Sequence, residues 1–205
     1  MWPDGGGFLA LGDSYTIGEG VAEGECWPAQ LAALLKAEGI DLGEPRIIAT
    51  TGWTTDELAN AIDDAEAAGS LGNFQLVSLL IGANNQYRER PLGEYEAQLG
   101  NLLERAVGFA GGDPSRVIVL AIPDWGVTPF AAKSGRDRAQ IAAQLDAFNS
   151  AAQRIATARG ARFVDTAAVS RERGAEEAML ACDGLHPSRA LYALWAHASV
   201  HQLHS

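Results

Sequence analysis

Phe8-Leu9-Ala10-Leu11-Gly12-Asp13-Ser14-Tyr15 begins with four apolar residues that read as a short buried strand, broken at Gly12-Asp13. Ser14 therefore falls where a strand gives way to a loop, at the carboxyl end of a sheet. In open α/β sheets that edge is where ligands bind. A serine placed there is a candidate nucleophile, provided that a base and an oxyanion site reach it.

Outward from this stretch, strand and helix patterns alternate. A glycine-rich turn (Gly18, Gly20, Gly24) leads to a helix with Pro28 in its first turn, Leu31, Leu34 and Leu35 on its apolar face, and Gly39 at its end. Arg46-Ile47-Ile48-Ala49-Thr50 reads as a second strand ending at Gly52. Thr54 and Glu57 have capping-box spacing and open a helix carrying Leu58 and Ile62.

Leu76-Val77-Ser78-Leu79-Leu80-Ile81 is a third strand, near-continuously apolar as expected when both faces are covered, and it stops at Gly82-Ala83-Asn84-Asn85. A helix carrying Tyr95, Leu99, Leu102, Leu103 and Ala106 follows. Val117-Ile118-Val119-Leu120-Ala121-Ile122 is a fourth strand, with a loop from Pro123 to about Gly135. Ile141, Leu145, Phe148, Ala152 and Ile155 mark a long amphipathic helix. Arg162-Phe163-Val164-Asp165 makes a fifth strand, and Ser188 caps a last helix with Leu191, Leu194 and Trp195.

This alternation predicts an α/β fold: a three-layer α/β/α sandwich around a five-stranded parallel sheet, for which we take the flavodoxin-like order 2-1-3-4-5. With 205 residues, no repeat and no low-complexity linker, residues 1–205 are expected to form a single domain. The net charge of -11 argues against nucleic acid or an anionic membrane surface as partner.

No apolar stretch is long enough to span a bilayer. The N-terminal Met1-Trp2-Pro3-Asp4-Gly5-Gly6-Gly7 lacks the basic and apolar regions of a signal peptide, so a cytoplasmic location is expected. Cys26 and Cys182 match no metal spacing. Two reduced thiols are expected, with a bridge between them as the alternative.

If the strands are parallel, the segments that follow them share one edge. That edge then gathers Ser14, Gly52, Asn84, the loop with Trp125, and Asp183-Gly184-Leu185-His186. A serine hydroxyl needs a base that removes its proton as it attacks. An imidazole accepts and returns a proton near neutral pH, and His186 is placed for that role. Asp183, in the same turn, is placed to fix the imidazole tautomer and stabilise the imidazolium. The backbone N–H groups of Ser14 and Gly52 and the Asn84 amide are candidate oxyanion donors.

These residues resemble the SGNH hydrolases, also called GDSL esterases and lipases. Gly12-Asp13-Ser14-Tyr15 is similar to that family's first block, with Tyr15 where leucine is common. Gly52 resembles the second-block glycine, and Gly82-Ala83-Asn84-Asn85 the third block, Gly-x-Asn-Asp. Asp183-Gly184-Leu185-His186-Pro187 resembles the fifth, Asp-x-x-His. The resemblance runs in the family's order from Gly12 to Pro187. It implies esterase, lipase, thioesterase or carbohydrate deacetylase activity through a serine acyl-enzyme, without metal or other cofactor. Asn85 stands where the family usually has aspartate, so positioning by a charge at 85 is not expected.

Other residues have blander readings beside the functional ones. Asp13 is expected to hold the Ser14 turn by bonding local backbone. Trp53, Trp125 and Phe130 either line an acyl pocket or belong to the core. Arg88 and Arg90 either meet an anionic head group or, as expected, form a solvated pair. His197, His201 and His204 share a helical face without a carboxylate, which reads as a solvated face rather than a metal site. Neither G-x-G-x-x-G nor G-x-S-x-G is present around the early glycines or Ser14.

The expected activity is hydrolysis of a small-molecule carboxylic ester of short to medium acyl chain, by Ser14, His186 and Asp183. The alternatives are an acyltransferase using the same acyl-enzyme and a non-catalytic ligand-binding module.

Overall fold

β1 (Phe8–Gly12) is buried along its whole length because both of its edges and both of its faces are covered. In the computed structural model, which describes residues 6–69 and 71–205, it pairs in parallel with β2 (Arg46–Ala49) on one edge and β3 (Leu76–Leu80) on the other. β4 (Val117–Leu120) and β5 (Arg162–Val164) extend the sheet beyond β3, giving the all-parallel order β2-β1-β3-β4-β5. Residues 1–5, part of the segment read above for a signal peptide, lie outside the described residues.

Nine helices are described: α1 (Ser14–Ile17), α2 (Trp27–Ala37), α3 (Thr55–Ala68), α4 (Ala83–Tyr87), α5 (Leu92–Phe109), α6 (Pro129–Ser134), α7 (Arg138–Ala158), α8 (Thr166–Arg173) and α9 (Arg189–His204). One layer is built on α2 packed against α9, the other on α3, α5 and α7. Alternate strand residues feed each layer. Phe8 meets Trp27 of α2 with ring centroids 6.2 Å apart, while Tyr95 of α5 stacks on Phe148 of α7 at 4.6 Å. Fully buried side chains of this size each contribute about 1.5–3 kcal/mol of transfer free energy, so these layers hold the sheet rigid beneath its carboxyl edge.

Where the structure departs from the sequence expectation, the difference lies at that edge. Ser14 opens a helical turn, α1, rather than a loop, and α4 and α8 likewise start directly after strands. The segment from Pro123 to about Gly135 is not a plain loop either: it holds a 3₁₀ turn (Trp125–Val127) and α6. Capping groups explain several of these starts. Asp13 accepts the Tyr15 N–H at 3.0 Å, Thr128 Oγ1 accepts the Ala131 N–H at 3.2 Å, and Asp165 accepts the Ala168 N–H at 3.0 Å. Gly12 is required by close approach, since a Cβ there would collide with Thr16 Oγ1 and the Leu80 carbonyl. That crowding lets α1 turn back directly over the end of β1.

Candidate active site

Ser14 is the first residue of α1 and is 5% exposed. The Asp13 carbonyl accepts the N–H groups of Thr16 and Ile17, each at 3.0 Å, and its carboxylate oxygen accepts that of Tyr15. Asp13 therefore braces the turn that presents the serine, as expected from sequence. Burial pushes its carboxyl pKa up to about 7, against the lowering effect of the Tyr15 N–H.

The partners of Ser14 come from the opposite end of the chain. Leu180 and Pro187 form an isolated antiparallel bridge, and the Ala181 N–H donates to the His186 carbonyl at 2.8 Å. The loop so closed carries Asp183 and His186. One Asp183 oxygen accepts the N–H groups of Leu185 (2.9 Å) and His186 (3.0 Å), and the other lies 2.6 Å from His186 Nδ1. Partial burial raises the Asp183 pKa, but the bonds from the His186 ring and from the Leu185 and His186 N–H groups outweigh it and hold the carboxyl below its ordinary value. An ionised Asp183 keeps the ring proton on Nδ1, leaving Nε2 to accept. Nε2 lies 3.0 Å from Ser14 Oγ. The arrangement can deprotonate the serine as it attacks.

Gly52 and Asn84 border the same cavity as Ser14 and His186. Gly52 adopts φ +90°, a conformation that glycine reaches without strain. Asn84 Nδ2 donates one hydrogen to the Trp53 carbonyl at 2.9 Å, which orients the amide. Asn85 is fully buried beneath them. Its Oδ1 accepts the Thr55 N–H at 3.1 Å and its Nδ2 donates to Thr55 Oγ1 at 2.7 Å, while Thr55 Oγ1 directs its own hydrogen to Gln98 Oε1. Asparagine supplies the donor that this hydroxyl accepts, so an uncharged residue at 85 is matched to its surroundings.

The cavity over Ser14 measures about 240 Å³. Beyond the polar groups its walls are mainly Tyr87, Trp125, Phe130 and Leu185, with Tyr15, Thr51 and Ala83 filling in. Trp125 and Phe130 thus lie where the sequence reading allowed. Trp53 takes the other of the two readings: it is half-buried and packed against the core, and its carbonyl serves the site as the acceptor for Asn84. Tyr87 was missed. It sits three residues after Asn84, one turn along α4, and recognising that helix would have placed both on one cavity wall. Arg136 lies 4.2 Å from the Tyr87 ring centroid and donates to the Tyr87 carbonyl at 2.9 Å, bracing that wall.

Arg88 and Arg90 are both engaged by protein groups: Arg88 by Glu57 and the Gly52 carbonyl, and Arg90 by Asp56 at 2.5 Å. His197, His201 and His204 are exposed on α9, with His204 Nε2 2.7 Å from Glu38 Oε2. Cys26 is buried, Cys182 is exposed, and the two are not bridged. No helix among the described residues is long and apolar enough to cross a membrane.

The sequence matches the GDSL-like lipase/acylhydrolase family over residues 10–194. None of the curated proteins matches it. Among solved structures, an acetyl xylan esterase from Geobacillus stearothermophilus is similar with a TM-score of 0.71 at 25% identity, covering 97% of this chain and 94% of its own. The fold is also shared with TesA (TM-score 0.72, 19% identity, 96% and 97% covered). The psychrotrophic esterase EstA from Pseudoalteromonas sp. shares it as well (TM-score 0.70, 17% identity, 98% and 97% covered).

Proposed function

The chain belongs to the GDSL-like lipase/acylhydrolase family and is a carboxylic ester hydrolase, and on that premise we propose that it cleaves esters of small acyl groups through an acyl-enzyme on Ser14. Ser14 Oγ attacks the acyl carbon while His186 Nε2 takes the hydroxyl proton. Asp183 stays ionised, holds the Nδ1 proton and stabilises the imidazolium. The charge that develops on the carbonyl oxygen is met by the N–H groups of Ser14 and Gly52 and by the second Nδ2 hydrogen of Asn84. As the tetrahedral intermediate collapses, the imidazolium returns its proton to the departing alcohol. Water, deprotonated by His186, then attacks the acyl-enzyme, and the proton passes to Ser14 Oγ as the acid leaves.

The observation that carries this reading is the unbroken hydrogen-bonded run from Ser14 Oγ through His186 to Asp183, with contacts of 3.0 and 2.6 Å. Acyl size follows from the cavity. At about 240 Å³ it lies below the roughly 300–1,000 Å³ of sites for drug-sized ligands, and its walls are mostly apolar. A short acyl group fits such a space, and the similar acetyl xylan esterase carries that word, acetyl, in its own name.

The test is hydrolysis of p-nitrophenyl acetate, butyrate and octanoate at pH 8 by wild type and Ser14→Ala. Turnover is expected to disappear with Ser14, and the two shorter esters to be preferred over octanoate. Turnover that survives Ser14→Ala overturns the acyl-enzyme. A fluorophosphonate probe that labels wild type but not Ser14→Ala provides an independent reading of the nucleophile.

A further inference from the structure

Side chains on α4 and immediately after it reach back to the β2–α3 connection. Asn84 holds the Trp53 carbonyl and Asn85 exchanges two hydrogen bonds with Thr55. The third is Arg88, whose Nη2 donates to the Gly52 carbonyl at 2.7 Å. Its Nη1 lies 3.3 Å from Glu57 Oε1, and Glu57 Oε2 accepts the Thr54 N–H at 2.8 Å. One guanidinium thus joins the carbonyl of Gly52 to the carboxylate that caps α3.

Gly52 has little conformational preference of its own, so the direction of its N–H depends on what its flanking peptides are bonded to. The Trp53 N–H closes a turn onto the Thr50 carbonyl at 3.2 Å. The Arg88 bond orients the peptide that follows Gly52. The two candidate oxyanion donors outside α1 stand on different elements, Gly52 N–H on the β2–α3 connection and Asn84 Nδ2 on α4, and Arg88 ties the end of α4 to that connection through the Gly52 carbonyl.

We propose that Arg88 is a positioning residue for ester hydrolysis: it holds Gly52 with its N–H toward the oxyanion. This rests on the Ser14 acyl-enzyme reading. Arg88 does not serve as a receptor for a substrate anion, because Nη2 is bonded to the Gly52 carbonyl and Nη1 faces the Glu57 carboxylate. Its side chain is 43% exposed, and an ion pair this open contributes little to stability. Removing Arg88 should therefore weaken catalysis far more than folding.

The experiment compares Arg88→Ala and Arg88→Lys with wild type on p-nitrophenyl acetate. For Arg88→Ala, kcat and kcat/KM are expected to fall together by about tenfold or more, short of the 10²–10³-fold typical when an oxyanion donor is deleted outright. Arg88→Lys, which still reaches the carbonyl with one donor, should be intermediate. Guanidinium, added far below denaturing concentrations, should restore part of the lost turnover in Arg88→Ala and leave wild type unchanged. Fluorophosphonate labelling should slow in parallel with kcat.

If Arg88→Ala does not fold, Glu57→Gln keeps an acceptor for the Thr54 N–H while removing the charge facing the guanidinium. It should lower kcat in the same direction, by less. Three results overturn the proposal: unchanged kcat in Arg88→Ala, a raised KM at constant kcat, or a loss that guanidinium does not restore. Turnover that persists in Ser14→Ala would instead refute the acyl-enzyme. Turnover lost in Ser14→Ala but untouched in Arg88→Ala removes the Arg88 role alone.

Discussion

Replacing Asp13 with asparagine should make stability less dependent on pH. Asp13 is wholly buried; one carboxylate oxygen accepts the Tyr15 N–H at 3.0 Å, and the other meets no hydrogen-bond partner among the described residues. Burial raises its pKa from 3.8 to about 7. Below pH 3.8 the carboxyl is protonated in both the folded and unfolded chain. Between that value and about 7 the unfolded chain releases a proton that the folded chain keeps, so stability falls by roughly 1.4 kcal/mol per pH unit.

Above about 7 both states are ionised and the loss levels off. From pH 5 to pH 8 the wild type should therefore lose up to about 3 kcal/mol that Asp13→Asn does not. The amide keeps an acceptor for Tyr15, and its unpaired N–H₂ adds a pH-independent cost of about 1–3 kcal/mol. In a chain of this length, 1 kcal/mol shifts the midpoint by about 2–4 °C. Thermal unfolding of both proteins from pH 4.5 to 9 should show the variant gaining roughly 6–12 °C on wild type between pH 5 and 8. Parallel curves across that range would refute the reasoning, because they would mean that Asp13 titrates alike in both states.

Asp183→Asn should lower kcat on p-nitrophenyl acetate by about 10³–10⁴-fold through loss of the Nδ1–H tautomer, with the fold intact by circular dichroism; near-normal turnover would dismiss the Asp183 role. Phe130→Ala or Tyr87→Ala should raise octanoate turnover relative to acetate, by up to about fourfold for each methylene newly buried. An unchanged ratio would place the acyl chain elsewhere. Arg171 Nε lies 2.7 Å from Asp124, which is 2% exposed, so Arg171→Met leaves a buried carboxylate whose one remaining partner among the described residues is the Gly126 N–H. The expected loss is about 2–3 kcal/mol in denaturant unfolding, reduced from a fully buried pair because Arg171 is partly solvated.

The sheet was legible because β1, β3 and β4 are short apolar runs, and because Thr54 with Glu57 marks the start of α3 unambiguously. Ser14, Gly52 and Asn84 followed from topology, because a parallel sheet puts the ends of its strands together, whereas the loop with Asp183 and His186 comes only after α8 and a 3₁₀ turn (Glu177–Met179). The short helices α1, α4, α6 and α8 were harder. With four to eight residues they complete barely one or two turns, too few for a period to appear. Without them the cavity wall was incomplete, and Tyr87 was overlooked. The partner of Arg88 was illegible for another reason. Its bond to Gly52 spans 36 positions and depends on how two connections dock, which local pattern does not encode.

The contact between Ser14 and His186 spans 172 positions, whereas Asp183 and His186 are three apart. A ribosome therefore delivers the nucleophile 172 residues before its base. On the proposed mechanism, until the segment holding His186 has emerged and docked beside β1, Ser14 is an ordinary alcohol with no activating partner. By the same mechanism a nascent chain that lacks His186 is chemically silent, and the onset of esterase activity during synthesis or refolding clocks the moment at which these two distant segments meet.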